Sequence, residues 1–345
     1  PLRKPFAALD DLVRSRRAMA RPMPTALSRI SDARDNPGAL TGHEFVPPGA
    51  RALVVALHGC RQDARGYDRG TGWTALAARE GFAVLAPDQN APNNAWRCFN
   101  WFDDAQGAAE AASIVAMVEG MVARHGLDAR RVFVTGLSAG GAMAARLLAT
   151  HPGSFAGGAV LAGLPFGAAH DANGALAIMR DGASMPTGGW AAPVRAATPH
   201  RGPWPRLSVW HGAMDRTVNP RNGAALVEQW LALNGITWAP RSAEVVDGAR
   251  LLRWHDAAGR PVVESWTVAA LDHAAPIGPA VAEVRRRGGV PGPFILDAGI
   301  HSTWHIAAGW DLADPARVVE DAARPAAPTL APMPEPMEWA RMSPA

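Results

Sequence analysis

Hydrophobic positions along the chain fall into two alternating rhythms. Short apolar runs recur at Ala52–Leu57, Phe82–Ala86, Val132–Thr135, Phe155–Leu161 and Leu207–Trp210. Runs that are apolar throughout, rather than alternating with polar residues, fit strands covered on both faces. Between them lie stretches rich in helix formers: Trp73–Arg79, Asp104–His125, Ala142–Ala149, Arg221–Leu233 and Ile300–Leu312. Leu40–Val46 reads as a further strand, followed by the turn signal Pro47-Pro48-Gly49. Leu251–His255 and Val262–Val268 flank Asp256-Ala-Ala-Gly259 and predict a hairpin. Alternating strands and helices predict an α/β fold, a mostly parallel doubly wound sheet with helices on both faces. The ligand site of such a sheet lies beyond the carboxyl ends of its strands.

Three stretches break the rhythm. Phe6, Leu9, Leu12, Val13 and Met19 recur at helical spacing with Arg14, Arg16 and Arg17 on the other side. This predicts an N-terminal amphipathic helix within residues 1–39, docked on the domain and ended by Pro22 and Pro24. From 165 to 205 periodicity gives way to Gly, Ala, Pro and the isolated Trp190 and Trp204, so a lid or insertion over the site is expected there. Residues 323–345 read as a loose Pro-rich tail. One domain over residues 40–322 remains.

Composition narrows the partners. Lys and Arg number 34 against 31 Asp and Glu, and the net charge of +3 is spread out apart from short Arg runs at Arg14–Arg17 and Arg285–Arg287. A nucleic-acid footprint needs a basic stripe, which this distribution lacks. No apolar run reaches membrane-spanning length. Two cysteines, Cys60 and Cys98, are too few to hold zinc by themselves.

The chemistry centres on Gly136-Leu137-Ser138-Ala139-Gly140, a G-x-S-x-G motif between a predicted strand and a predicted helix. A serine on so sharp a turn is pushed out above a helix N-terminus, and the glycines let strand and helix approach. The structural alternative is a Gly-rich turn in which Ser138 merely caps the helix. A serine hydroxyl is a weak nucleophile unless a His takes its proton and a carboxylate orients that His. In this architecture the order is Ser, acid, His, which selects Asp215 after Leu207–Trp210 and His273 after Val262–Val268. Asp88 and Asp272 compete with Asp215, but Asp272 adjoins His273, and neighbours in an extended chain point apart. His58 and His211 each precede Gly at a strand end and read as structural or oxyanion-loop residues. His301 and His305 stand four apart on a predicted helix, yet no Glu or Cys lies at ligand spacing, so neither a metal nor a cofactor is expected. An oxyanion needs two converging amides, for which Ala139 and Cys60 are the candidates.

The motifs His58-Gly-Cys-Arg-Gln62, Cys98-Phe-Asn-Trp-Phe102, Gly136-Leu-Ser-Ala-Gly-Gly141, His211-Gly-x-x-Asp215, His273-Ala-Ala-Pro-Ile-Gly278 and Ile295-Leu-Asp-Ala-Gly-Ile300 occur in this order. Together they make the segment from Leu40 to Leu312 resemble the catalytic domain of the polyhydroxybutyrate depolymerase family of esterases, related to feruloyl and acetyl-xylan esterases. The resemblance implies an α/β-hydrolase fold, a triad of Ser138, Asp215 and His273, and Cys60 beside the oxyanion hole. It implies hydrolysis of short-chain 3-hydroxyalkanoate polyesters or oligomers through an acyl-enzyme. A feruloyl or acetyl-xylan esterase is the alternative, and a non-catalytic binding protein on the same fold a more distant one. Ala274 departs from the Gly often found after the family's catalytic His. Cys60 and Cys98 are expected to form a disulfide clamping the oxyanion loop to Asn100-Trp101-Phe102, a closure contributing roughly 3 to 4 kcal/mol by chain entropy. Two free buried thiols are the alternative. The resemblance and this disulfide favour an extracellular or periplasmic compartment. Trp101, Trp204 and Trp304 are candidates for apolar walls against a polyester chain, weighed against ordinary core packing.

Overall fold

The computed structural model describes residues 25–31, 35–186, 189–278 and 289–314. The amphipathic helix and the Pro-rich tail read from the sequence lie outside these residues, as does the run Arg285–Arg287. Strands β1 (Ser28–Arg29), β2 (Thr41–Phe45), β3 (Leu53–Leu57), β4 (Ala83–Asp88), β5 (Val132–Leu137), β6 (Gly157–Leu161), β7 (Arg206–Gly212), β8 (Ser242–Val246), β9 (Ala249–His255) and β10 (Pro261–Val268) form one sheet. Their order is β1-β2-β4-β3-β5-β6-β7-β10-β9-β8. From β4 to β10 every neighbouring pair is parallel, and the flanking strands on each side are antiparallel. The short strands β11 (Ala275–Ile277) and β12 (Ile295–Asp297) pair with each other in parallel.

Eight helices accompany the strands among the described residues: α1 (Ala64–Thr71), α2 (Trp73–Glu80), α3 (Asp104–His125), α4 (Ala139–Thr150), α5 (Ala172–Asp181), α6 (Ala191–Ala197), α7 (Arg221–Asn234) and α8 (Ser302–Gly309). The alternation of side chains along a strand divides the core in two. Leu53, Val55 and Leu57 of β3 join a cluster with Ile114, Met121 and Leu147 from α3 and α4. Val54 and Ala56 join the opposite cluster, with Tyr67, Trp73 and Trp310. All of β3 is buried, and covering each of its Leu or Val side chains contributes about 1.5 to 3 kcal/mol. Local signals set the bounds of α3: the Asp103 carboxylate accepts from the Gln106 amide at 2.8 Å, and Gly126 ends the helix at φ 62°.

The mostly parallel sheet and the β9–β10 hairpin agree with the sequence reading. The strands on either side of Pro47-Pro48-Gly49 are not neighbours, because β4 lies between them. A strand buried on both faces takes a parallel partner on each edge, and β4 and β5 occupy both edges of β3. Residues 165–205, aperiodic in sequence, contain α5 and α6. Helix α1 is likewise unannounced, since its sequence Ala-Arg-Gly-Tyr-Asp-Arg-Gly-Thr is poor in helix formers. It is started by Asp63, which accepts from the Gly66 amide at 2.6 Å, and held down by buried Tyr67.

Candidate active site

Sheet register brings the functional loops level. Leu57 lies opposite Gly136, Leu137 opposite Leu161, Leu161 opposite Trp210, and Gly212 opposite Val268. The chain therefore leaves β3, β5, β7 and β10 at one edge, where His58-Gly-Cys60, Ser138, Asp215 and His273 follow.

Ser138 occupies the turn between β5 and α4 at φ 56° and ψ −118°. For a residue with a Cβ this conformation stores about 1 to 3 kcal/mol of strain. The surroundings impose it. A Cβ on Gly136 would fall 2.4 Å from the Gly140 backbone, and one on Gly140 would fall 2.4 Å from the carbonyl oxygens of Leu57 and His58. Only glycine permits so close a crossing of strand and helix. The Ser138 amide donates to Leu161 O at 2.9 Å, which fixes the turn to β6.

On one side of Ser138 stands a buried acid–base pair. His273 Nδ1 lies 2.8 Å from Asp215 Oδ2. The other carboxylate oxygen accepts from the amides of Val218 at 2.8 Å and Thr217 at 2.9 Å. His211 Nε2 donates to Val218 O at 2.9 Å and also sits 3.2 Å from Asp215 Oδ2. Burial alone would raise the Asp215 carboxyl, but its contacts with His211 and His273 outweigh that and hold it far below the usual carboxylate range. An ionised Asp215 requires the proton on Nδ1 of His273, so Nε2 carries the lone pair a base needs. Asp272 turns elsewhere and accepts from the amides of His273 and Arg216. Asp88 lies 3.2 Å from His58 Nε2. Of the three candidate acids, the structure brings Asp215 to the imidazole.

On the other side stands the loop after β3. His58 Nδ1 donates to Gly59 O at 2.8 Å, and its Nε2 lies 3.1 Å from the Gln89 amide. The Gly59 amide donates to Gln62 Oε1, whose own amide nitrogen donates to Pro293 O. Cys60 and Cys98 are joined by a disulfide, and the Arg61 amide donates to Trp96 O at 2.7 Å. Behind this clamp the buried Glu110 carboxylate accepts from Gln89 Nε2, Asn100 Nδ2 and the Asn100 amide at 2.6 to 2.8 Å. Its burial pushes the Glu110 carboxyl up, against the pull of those donors. Ala139 is the first residue of α4, so its amide belongs to the unpaired first turn of a helix.

Between the two sides opens a cavity of about 340 Å³, at the small end of the roughly 300 to 1,000 Å³ range of small-molecule sites. Ser138, His273, Cys60 and Ala139 line it, with apolar walls from Trp96, Trp101, Phe102, Leu176, Met179 and Phe294. The arrangement suits acyl transfer: a strained serine and a histidine held by a buried carboxylate, both lining one apolar-walled cavity.

Residues 40–250 match the esterase PHB depolymerase family. Poly(3-hydroxyalkanoate) depolymerase C of Paucimonas lemoignei is 38% identical over 288 residues, covering 81% of this chain and 69% of that protein. This chain belongs to the PHB depolymerase family of esterases. Feruloyl esterase B of Talaromyces stipitatus is 31% identical over 62% of this chain, which spans 63% of that relative's length. Acetylxylan esterase A of Aspergillus oryzae is 30% identical over 65% of this chain and 76% of the relative. The fold matches the acetyl xylan esterase structure from Aspergillus awamori at a TM-score of 0.69 and 23% identity, over 84% of this chain and all of that one (100%). The sheet is therefore that of an α/β-hydrolase, and the protein a carboxylic ester hydrolase.

Of the esterase's three tryptophans singled out in the sequence, Trp101 lines the cavity. Trp204 and Trp304 do not line it. Trp204 packs against the core and meets His200 edge-on, and Trp304 packs against the other core cluster and meets His305 edge-on. Trp96, exposed by 50%, lines the cavity instead. Its position depends on the loop brought in by the disulfide, a tertiary effect that Trp spacing does not carry. Leu176 and Met179 were also invisible, since α5 lay in the aperiodic stretch. His305 meets Asp247 at 2.9 Å, and among the described residues no group of three or more His, Cys, Asp and Glu is placed to hold a metal.

Proposed function

We propose that this esterase hydrolyses short-chain 3-hydroxyalkanoate polyesters or oligomers through an acyl-enzyme on Ser138. The observation that carries this reading is the buried Asp215–His273 pair on the wall of the apolar cavity that Ser138 also lines. Ser138 Oγ attacks the ester carbonyl while His273 Nε2 takes its proton. Charge developing on the carbonyl oxygen is met by the Cys60 and Ala139 amides, and His273 returns the proton to the departing alcohol oxygen. Water then repeats the sequence on the acyl-enzyme and releases the acid. The segment 165–205 acts as the lid, with α5 supplying Leu176 and Met179 to the wall. The disulfide suits an extracellular or periplasmic compartment.

The polyester reading is supported by the Paucimonas relative's name and by the lining. An aliphatic polyester offers methyl groups and ester oxygens, which match apolar walls with few donors. A sugar-linked ester would need side chains for its hydroxyls. Asn94, one of the few polar residues of the lining, is already engaged with Asn100 and the amides of Trp96 and Cys98. Two measurements test the reading. A fluorophosphonate is expected to form an adduct at Ser138, and hydroxybutyrate trimers are expected to be cut faster than feruloylated arabinoxylan or acetylated xylan. An unlabelled Ser138 defeats the acyl-enzyme, and a preference for either xylan defeats the substrate class.

A further inference from the structure

We infer that Phe294 is a specificity-determining residue that binds the alcohol part of the ester, the part that leaves first. The inference rests on the acyl-enzyme reading above and adds to it a preference for esters whose alcohol carries an apolar chain. Phe294 lines the cavity together with Ser138 and His273. Its ring centroid lies 6.0 Å from that of the His273 imidazole, and the two ring planes stand at 73°, a T-shaped aromatic contact.

The backbone that carries this ring is strained. Gly292, Pro293, Phe294 and Ile295 form a tight turn in which the Ile295 amide donates to Gly292 O at 3.0 Å. Proline fixes a negative φ at the first central position, and Phe294 follows at φ 60°. That combination is a type II turn, whose second central position belongs to glycine or asparagine, and a bulky aromatic residue there is an outlier. Contacts on both sides hold the turn: Gln62 Nε2 donates to Pro293 O at 2.8 Å, and the Ala275 amide donates to Phe294 O at 2.9 Å. Gln62 belongs to the loop that carries Cys60, and Ala275 follows His273 by two residues, so the turn is tied to both sides of the cavity. Strain at a residue that lines an active site points to a task for its side chain, and Ser138, at φ 56° in the same cavity, is a second case.

The reaction sets which part of the ester meets this ring. Ser138 Oγ bonds to the carbonyl carbon, the bond from that carbon to the alcohol oxygen breaks, and His273 Nε2 passes the serine proton to that oxygen. The departing oxygen must lie within hydrogen-bond reach of His273, so the chain it carries begins beside the imidazole, where Phe294 stands. An apolar chain on the alcohol exchanges water for contact with the ring, whereas a methyl ester offers it a single carbon. In a hydroxyacid oligoester the alcohol part is the next 3-hydroxyacyl unit, and the same contact reads that unit.

The test compares n-pentyl butyrate with methyl butyrate, which form the same acyl-enzyme and differ in the alcohol, in wild type, Phe294→Gly, Phe294→Ala and Phe294→Leu. Wild type is expected to favour the pentyl ester in kcat/KM. Phe294→Gly and Phe294→Ala are expected to cut that preference by about tenfold, the effect of losing one apolar side-chain contact, and Phe294→Leu to keep part of it. The ratio of methyl butyrate to methyl acetate, which differ in the acyl part, should stay within about twofold of wild type in every variant. Because glycine accepts positive φ, Phe294→Gly is expected to melt above Phe294→Ala although both lose the preference alike. A wild type that does not favour the pentyl ester overturns the inference without reference to any variant. Variants that lower all three esters by one factor also overturn it, as does a preference lost in Phe294→Ala but kept in Phe294→Gly, because the turn and not the ring then matters. Failure of the acyl-enzyme reading shows separately, as a wild type that cleaves these esters without a fluorophosphonate adduct at Ser138, and it takes this inference with it.

Discussion

The two sides of the cavity are held in place by different means. Asp215 and His273 leave strands β7 and β10, which pair residue for residue up to Gly212 and Val268. Sheet register alone brings them within reach, and two backbone amides finish the job by gripping the carboxylate. Cys60 and Arg61 start from the same edge, just past Leu57 of β3, but the segment 94–101 lies well beyond the end of β4 at Asp88. That segment depends on a disulfide across a sequence separation of 38, a buried glutamate and amide-to-carbonyl bonds between loops. Groups close to a strand end take their place from the ladder, whereas a segment far along a loop is stapled to one of them.

The sharpest way to break this contrast is at the carboxylate. Asp215→Asn is expected to lower kcat by about 10⁴-fold, because an amide stabilises neither the right tautomer nor the imidazolium. The same change separates folding from catalysis through pH. The folded-state value of Asp215 lies below its unfolded value, so its contribution to stability is complete above the unfolded carboxylate range, begins to fade there, and is lost as pH falls on through the lower folded-state value. Urea unfolding is expected to show a deficit in Asp215→Asn of about 2 kcal/mol at pH 7, shrinking towards pH 3. A deficit that does not shrink would assign the stabilisation to shape rather than charge.

Opening the staple on the other side comes next. Cys98→Ser is expected to destabilise the fold by about 4 kcal/mol by chain entropy and to lower kcat by roughly 10- to 100-fold as the Cys60 amide loses its aim. The Asp215–His273 geometry should survive, with fluorophosphonate labelling slowed but not abolished. If Cys98→Ser keeps wild-type kcat, the staple is not what positions this half.

Glu110→Gln is a finer probe. Three donors converge on the Glu110 carboxylate, and a carboxamide would turn its NH₂ against one of them. Thermal or urea unfolding should register a loss of about 1 to 3 kcal/mol, with kcat falling less than in Cys98→Ser. The smallest effect is expected at Trp204→Ala. Side chains away from the bound substrate change uniform binding little, so KM for hydroxybutyrate oligomers should stay within about twofold of wild type. A larger rise would mean that Trp204 reaches the substrate when it binds.

Much of the acid–base side could be read from the chain. Gly136-x-Ser138-x-Gly140 between strand and helix, and acid and histidine after later strands, are local patterns whose spatial meaning follows from parallel strands ending at one edge. Asp215 could be preferred to Asp272 because adjacent residues in extended backbone diverge, and Asp272 indeed accepts from backbone amides. The tryptophans were a harder case. Trp101, Trp204 and Trp304 looked alike in sequence, and the cavity takes the first while using Trp96, Leu176 and Met179, which pattern alone did not single out.

By itself the sequence determined the elements, the parallel order that follows from their alternation, and the residues equipped for acyl transfer, since periodicity, glycine placement and side-chain chemistry are local properties. Tertiary structure alone decided which loops wall the cavity, that Arg61 rests on Trp96, and that Glu110 anchors Asn100. Those pairings join distant parts of the chain through contacts with no period and no spacing rule, and they exist only after the sheet has brought the loops together.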